Sequence, residues 1–98
     1  MKIEEIKNGS NLVVKVSERL DTTTAPELES YLDTALEGIT DLVFDFEALD
    51  YISSAGLRVL LMAVKKMAKQ GTMVVRNANE MVKEVFEVTG FMDLMTVE

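Results

Sequence analysis

The feature that most constrains this chain is a repeated switch between two apolar periods within 98 residues. Leu12, Val14 and Val16 recur at every second position, the spacing of a strand with one apolar face. Leu28, Tyr31, Leu32, Ala35, Leu36 and Ile39 then fall at helical spacing. Leu57, Leu60, Leu61, Val64 and Met67 form a second helical stripe, and Met81, Val82, Val85 and Phe86 a third. Between the stripes lie two strand-like stretches. Asp41 to Phe46 contains Leu-Val-Phe and reads as a buried strand, and Thr72 to Arg76 is rich in β-branched residues. Strands that alternate with helices imply right-handed crossovers onto a mostly parallel sheet.

Local punctuation sets the boundaries. Ile3 to Lys7 and Leu12 to Ser17 read as two strands, with Asn8-Gly9 between them as a hairpin signal. Thr24-Ala25-Pro26-Glu27 has the form of a capping box, and Gly38 is a stop for the helix that follows it. Ser53 or Ser54 opens the second helix. Lys65, Lys66 and Lys69 crowd its last turns, where the helix end is negative, and Gly71 ends it. Asn77 and Glu80 suggest a cap for the third helix, and Gly90 stops it. Phe91 to Leu94 adds a short turn, and Met95 to Val97 a last edge strand. The predicted order is β-β-α-β-α-β-α with that final strand. This is an α/β fold in one domain over residues 1–98: a mostly parallel sheet of four to five strands with an N-terminal hairpin, and three to four helices.

Composition removes several function classes. Apolar residues make up 48% of the chain, enough for a single core. There is no cysteine and no histidine, so disulfide frameworks, thiol chemistry and the commonest metal ligands are missing. A net charge of −7 disfavours nucleic acid and anionic membrane as partners. No apolar run approaches the roughly 20 residues of a membrane span, and the start Met1-Lys2-Ile3-Glu4-Glu5 is unlike a signal peptide. The expectation is a soluble cytoplasmic protein, with a monomer as the default state.

Chemistry concentrates between Phe44 and Arg58. This stretch reads as a strand, a short acidic loop carrying Glu47 and Asp50, and a helix start with Ser53, Ser54 and Gly56. A helix N-terminus offers free N–H groups and a positive dipole end, so a phosphate there is stabilised. Gly56 lets another backbone come close because it lacks Cβ. On spacing alone a serine here is more often a simple N-cap, and Gly56 a packing residue.

Ser53-Ser54-Ala55-Gly56-Leu57 resembles the Asp-Ser-Ser/Thr-Gly-Leu motif of the STAS anti-sigma factor antagonists, which opens their second main helix. The resemblance extends to Leu20-Asp21 and Ala25 before the first helix, and to the closing Phe86-Glu87-Val88-Thr89-Gly90-Phe91. It implies a phosphorylated serine two residues before the glycine, which is Ser54, with Ser53 as the rival hydroxyl. The chain departs from the family pattern in carrying Ser53 where Asp is common and Ala55 where Ser or Thr is common.

The resemblance further implies partner switching. The unphosphorylated protein binds an anti-sigma factor that is itself a serine kinase with a histidine-kinase-like ATPase fold, and so releases the sigma factor. Phosphorylation ends binding, and a metal-dependent serine phosphatase resets it. Asp21, Thr22, Thr23, Ser53, Ser54, Ala55, Gly56 and Arg58 are the partner-facing candidates. No cofactor is implied. An enzyme is disfavoured, since Gly-x-Ser-x-Gly and any histidine base are missing. STAS-like domains also serve as accessory subunits of membrane transport assemblies, which is the alternative reading. A nucleotide-binding role lacks a Gly-rich loop with a Lys.

Overall fold

The computed structural model describes residues 1–98 and realises the predicted order with two additions. Strands β1 (Ile3–Asn8) and β2 (Asn11–Val16) form the antiparallel hairpin. Its two-residue turn is Gly9-Ser10, one residue later than the Asn-Gly signal suggests, because Asn8 and Asn11 still pair. β2 then pairs in parallel with β4 (Asp41–Asp45), β4 with β6 (Thr72–Arg76), and β6 with the two-residue β7 (Thr96–Val97). The sheet order is β1-β2-β4-β6-β7.

Helices α1 (Ala25–Ala35), α2 (Ser54–Ala68) and α3 (Glu80–Thr89) bury most of the stripes read from the sequence, but Met81 at the start of α3 is 54% exposed, and Leu36 and Ile39 are buried in the turn beyond α1. Leu28 and Leu32, then Leu57, Leu60 and Met67, then Val82 and Phe86 join one core with Leu12, Val14, Leu42, Phe44 and Val75 of the sheet. The alternate sheet residues Asn11, Lys15, Asp41 and Thr72 are exposed, so the helices cover one face only. Two close approaches tie the layers together. A Cβ at Gly71 would lie 1.8 Å from the Thr40 carbonyl oxygen, so only glycine allows the end of α2 to pass that strand start. Beside it, Gln70 donates to the Leu36 and Ile39 carbonyls at 2.7 and 2.6 Å, satisfying the end of α1.

Two caps differ from the sequence expectation. Thr24 precedes α1, but its side chain caps no helix amide. Its hydroxyl instead donates to the Arg19 carbonyl at 2.8 Å and accepts from the Asp21 amide at 2.9 Å. At α3 the cap is Asn79, whose side-chain oxygen accepts from Val82 N–H at 2.8 Å. Asn77 takes a positive φ of 63° and donates to Asp45 at 3.1 Å, a role outside the helix. Gly90 stops α3 as expected, in the left-handed conformation that glycine takes without strain. Beyond it Phe91 opens a 3-10 turn and stacks on Phe86, with ring centroids 6.4 Å apart.

The two additions, β3 (Glu18–Leu20) and β5 (Leu49–Ile52), form a second, two-stranded parallel ladder. β3 continues from β2 after a kink at Glu18, where φ is +69°. β5 follows β4 after the turn at Phe46, Glu47 and Ala48. The register shifts between Glu18 and Arg19, so Asp50 is an extra residue bulged out of the ladder. Asn79 holds the outer edge of β5 by donating to the Leu49 and Asp50 carbonyls at 3.2 and 3.4 Å.

Candidate functional site

The small ladder positions the site. Arg19 lies opposite Tyr51 and Leu20 opposite Ile52, and the Ser53 amide donates to the Leu20 carbonyl at 2.9 Å. The chain therefore leaves both strands side by side, at their carboxyl ends. One exit is the turn Asp21 to Thr24. The other is the Ser53-Ser54 start of α2. Crevices beyond the carboxyl ends of parallel strands are where α/β sheets gather their binding groups.

The first exit is built around Asp21. One carboxylate oxygen accepts from the Thr23 hydroxyl at 2.8 Å, the Thr23 amide at 3.0 Å and the Thr24 amide at 3.2 Å. The Thr23 hydroxyl is the largest of the effects that lower its pKa to about 2. Partial burial opposes the shift, and the two amides and Arg19 reinforce it. The other oxygen meets Arg19 Nε at 3.4 Å. The Arg19 guanidinium also lies over the Tyr51 ring, 4.4 Å from its centroid, so it clamps the ends of β3 and β5 together. Thr22 and Thr23 are exposed at the tip of the turn.

At the second exit the two serines differ sharply. Ser53 is the residue before α2 and has an extended backbone. Its hydroxyl is buried and has no hydrogen-bond partner. Ser54 is the first helical residue and is exposed. Because Ser53 does not cap, the first amides of α2 keep their donors free, and the positive end of the helix dipole faces Ser54. Arg58 is exposed one turn further on and has no acidic partner.

Gly56 has a different place from the partner-facing one expected of it. It is buried, and a Cβ there would lie 2.7 Å from Leu20 Cγ and 2.9 Å from both Ile52 Cγ1 and the Leu20 carbonyl oxygen. Its missing side chain lets α2 sit directly on the β3-β5 ladder. Ala55 is half-buried beside it. The acidic loop expected around the serines is also divided. Asp21 stands beside Ser53, and Arg19 offsets its charge. Glu47 precedes β5 and so lies at the opposite end of that strand from the serines. Asp50 is exposed in the bulge. The structure thus brings together Asp21, Thr22, Thr23, Ser53 and Ser54. It adds Arg19 and Tyr51, which sequence reasoning missed; the only local trace was an arginine two residues before the aspartate.

Known proteins share this architecture and much of this sequence. The family model described as STAS domain matches residues 2–98. BtrV of Bordetella bronchiseptica, assigned by its name to the anti-sigma factor antagonists, is 35% identical over 99% of this chain and 85% of its own. The anti-sigma-B factor antagonist of Staphylococcus epidermidis is 30% identical over 99% of this chain and 92% of its own. Among solved structures, the phosphorylated form of the Bacillus cell fate determinant SpoIIAA superposes with a TM-score of 0.77 at 19% identity. That match covers 99% of this chain and 91% of that one, and shows the common fold. With the motif at the start of α2, the ladder beneath it and a family match across almost every residue, this chain belongs to the STAS domain family.

Proposed function

We propose that this protein is an anti-sigma factor antagonist whose partner binding is ended by phosphorylation of Ser54. The observation that carries the reading is the contrast at the start of α2: Ser54 is an exposed residue and the Ser53 hydroxyl is buried. A kinase can reach the first without moving backbone. The names of the relatives, anti-sigma factor antagonists, support the same function.

The partner is an anti-sigma factor that is itself a serine kinase with a histidine-kinase-like ATPase fold, and a metal-dependent serine phosphatase reverses the modification. Phosphoryl transfer puts roughly −1.5 to −2 charges at the first position of α2. The free amides and the helix dipole stabilise that charge where it stands, so the fold need not change. The added bulk and charge sit beside Asp21 and the exposed Thr22 and Thr23, in the middle of the surface offered to the partner. Binding is lost at the interface and not by unfolding.

The test has two arms. With the cognate kinase and ATP, the wild type and Ser53→Ala gain one phosphoryl group by intact mass, whereas Ser54→Ala gains none. In binding assays with the same kinase, Ser54→Ala stays bound and Ser54→Asp is released. Phosphorylation of Ser54→Ala, or equal binding by the Ala and Asp variants, refutes the proposal.

A further inference from the structure

The face of the main sheet that carries no helix is ordered in three cross-strand rows. At one level Ile6, Val13, Val43 and Val74 stand side by side across β1, β2, β4 and β6. Ile6 is 55% exposed, and the three valines are half-exposed. On one side of this apolar row lie Asn8, Asn11, Asp41 and Thr72. On the other lie Glu4, Lys15, Asp45 and Arg76, which alternate in sign from strand to strand. Asp45 is recessed in this row, its side chain 8% exposed, and Arg76 reaches it at 3.8 Å. Burial is the largest single influence on Asp45 and opposes its ionisation. The Glu47 amide, the Asn77 amide and the charges of Arg76 and Lys15 together outweigh it and hold its carboxyl below the usual range. The row therefore carries two charges of each sign and is neutral, in a chain of net charge −7.

This pattern is complementary to its own reverse. We propose that the open sheet face is an interface with a second copy of this chain, related by a two-fold axis running along the strands between β2 and β4. Such an axis reverses the strand order and keeps each row at its own level. Glu4 then faces Arg76 of the other copy, and Lys15 stands over the recessed Asp45. In the apolar row Ile6 meets Val74, and Val13 meets Val43. In the third row Asp41 meets Asn11, so no two like charges are opposed. Strands of the two copies run in the same direction, and two inner faces pack about 10 Å apart, as in aligned sandwiches. Isologous pairing of one patch with itself is the commonest form of homodimer. The patch measures roughly 20 by 17 Å from strand spacing and rise. That is below the roughly 800 Å² per partner of a standard interface, so the dimer is reversible. It departs from the monomer left as the default by the sequence. Since α2 lies on the covered face, Ser54 stays accessible in the dimer.

Charge reversal provides the test, read by sedimentation velocity over a concentration series, with circular dichroism to confirm folding. The wild type dimerises as concentration rises. Glu4→Lys sets two cations opposite each other twice per dimer, the new lysine against Arg76, and Arg76→Glu sets two acids opposite each other twice. Each variant alone dimerises about tenfold more weakly than the wild type. An equimolar mixture of the two recovers the dimer, because each copy then supplies the charge the other needs. If Arg76→Glu fails to fold after losing its Asp45 partner, Glu4→Lys at its exposed site decides alone. A wild type that stays monomeric into the millimolar range overturns the proposal. So does a dimer indifferent to Glu4→Lys, since that copy contact would use another surface.

Discussion

Replacing Gly56 by Ala tests how the start of α2 is held. In an exposed helix the change would stabilise by up to about 1 kcal/mol, because glycine is the poorer helix former. Here the new methyl would stand 2.7 Å from Leu20 Cγ and 2.9 Å from Ile52 Cγ1 and the Leu20 carbonyl oxygen. Leu20 is fully buried and Ile52 nearly so, so neither side chain has free space to retreat into. The carbonyl also accepts the Ser53 amide, and moving it weakens that bond. Overpacking of this kind costs about 1–3 kcal/mol. A strained backbone hydrogen bond adds about 1 kcal/mol. With the helix-propensity gain set against these, the variant loses about 2 kcal/mol. For a domain of this size, at about 4–8 °C per kcal/mol, the melting temperature falls by roughly 10 °C. Urea unfolding followed by far-UV circular dichroism should show a lower midpoint with an unchanged slope. A variant as stable as the wild type, or more so, would refute the packing role and leave Gly56 free for a partner contact.

Other positions give independent tests. Asp21 has its pKa depressed from 3.8 to about 2, so its ionised form stabilises the native state above about pH 3.8 and this stabilisation disappears as pH falls through about 2. The urea midpoint of the wild type should therefore exceed that of Asp21→Asn near neutrality and converge with it on acidification; a gap constant with pH contradicts the hydrogen-bond pattern at the turn. Ser53→Ala removes a buried hydroxyl with no partner and should leave the unfolding midpoint unchanged or raise it, by up to about 1 kcal/mol. A loss larger than that would mean the hydroxyl is bonded in solution. Asn79→Ala removes both the cap of α3 and the bonds to the edge of β5, and should cost about 1–2 kcal/mol in the same assay. Equal stability would show that water replaces the amide without loss.

The sequence determined by itself whatever depends on local periodicity. The three apolar stripes placed α1, α2 and α3, and Gly90 marked the stop of α3 through the left-handed conformation it adopts. The paired serines before Gly56 and Leu57 marked the start of α2 and the family motif. Tertiary structure decided what depends on neighbours distant in the chain. β3 has three residues, two of them charged, and β5 has four interrupted by a bulge, so neither carries a period long enough to read. They exist because each is the other's partner, across about thirty residues of chain. The same nonlocal packing separated Ser53 from Ser54, burying the hydroxyl of one and leaving the other an exposed residue. It also moved the α3 cap from Asn77 to Asn79, since Asn77 was drawn to Asp45 at the end of β4. Local pattern states which face of an element is apolar. Only the assembled layers determine which polar group then finds water, a partner or neither.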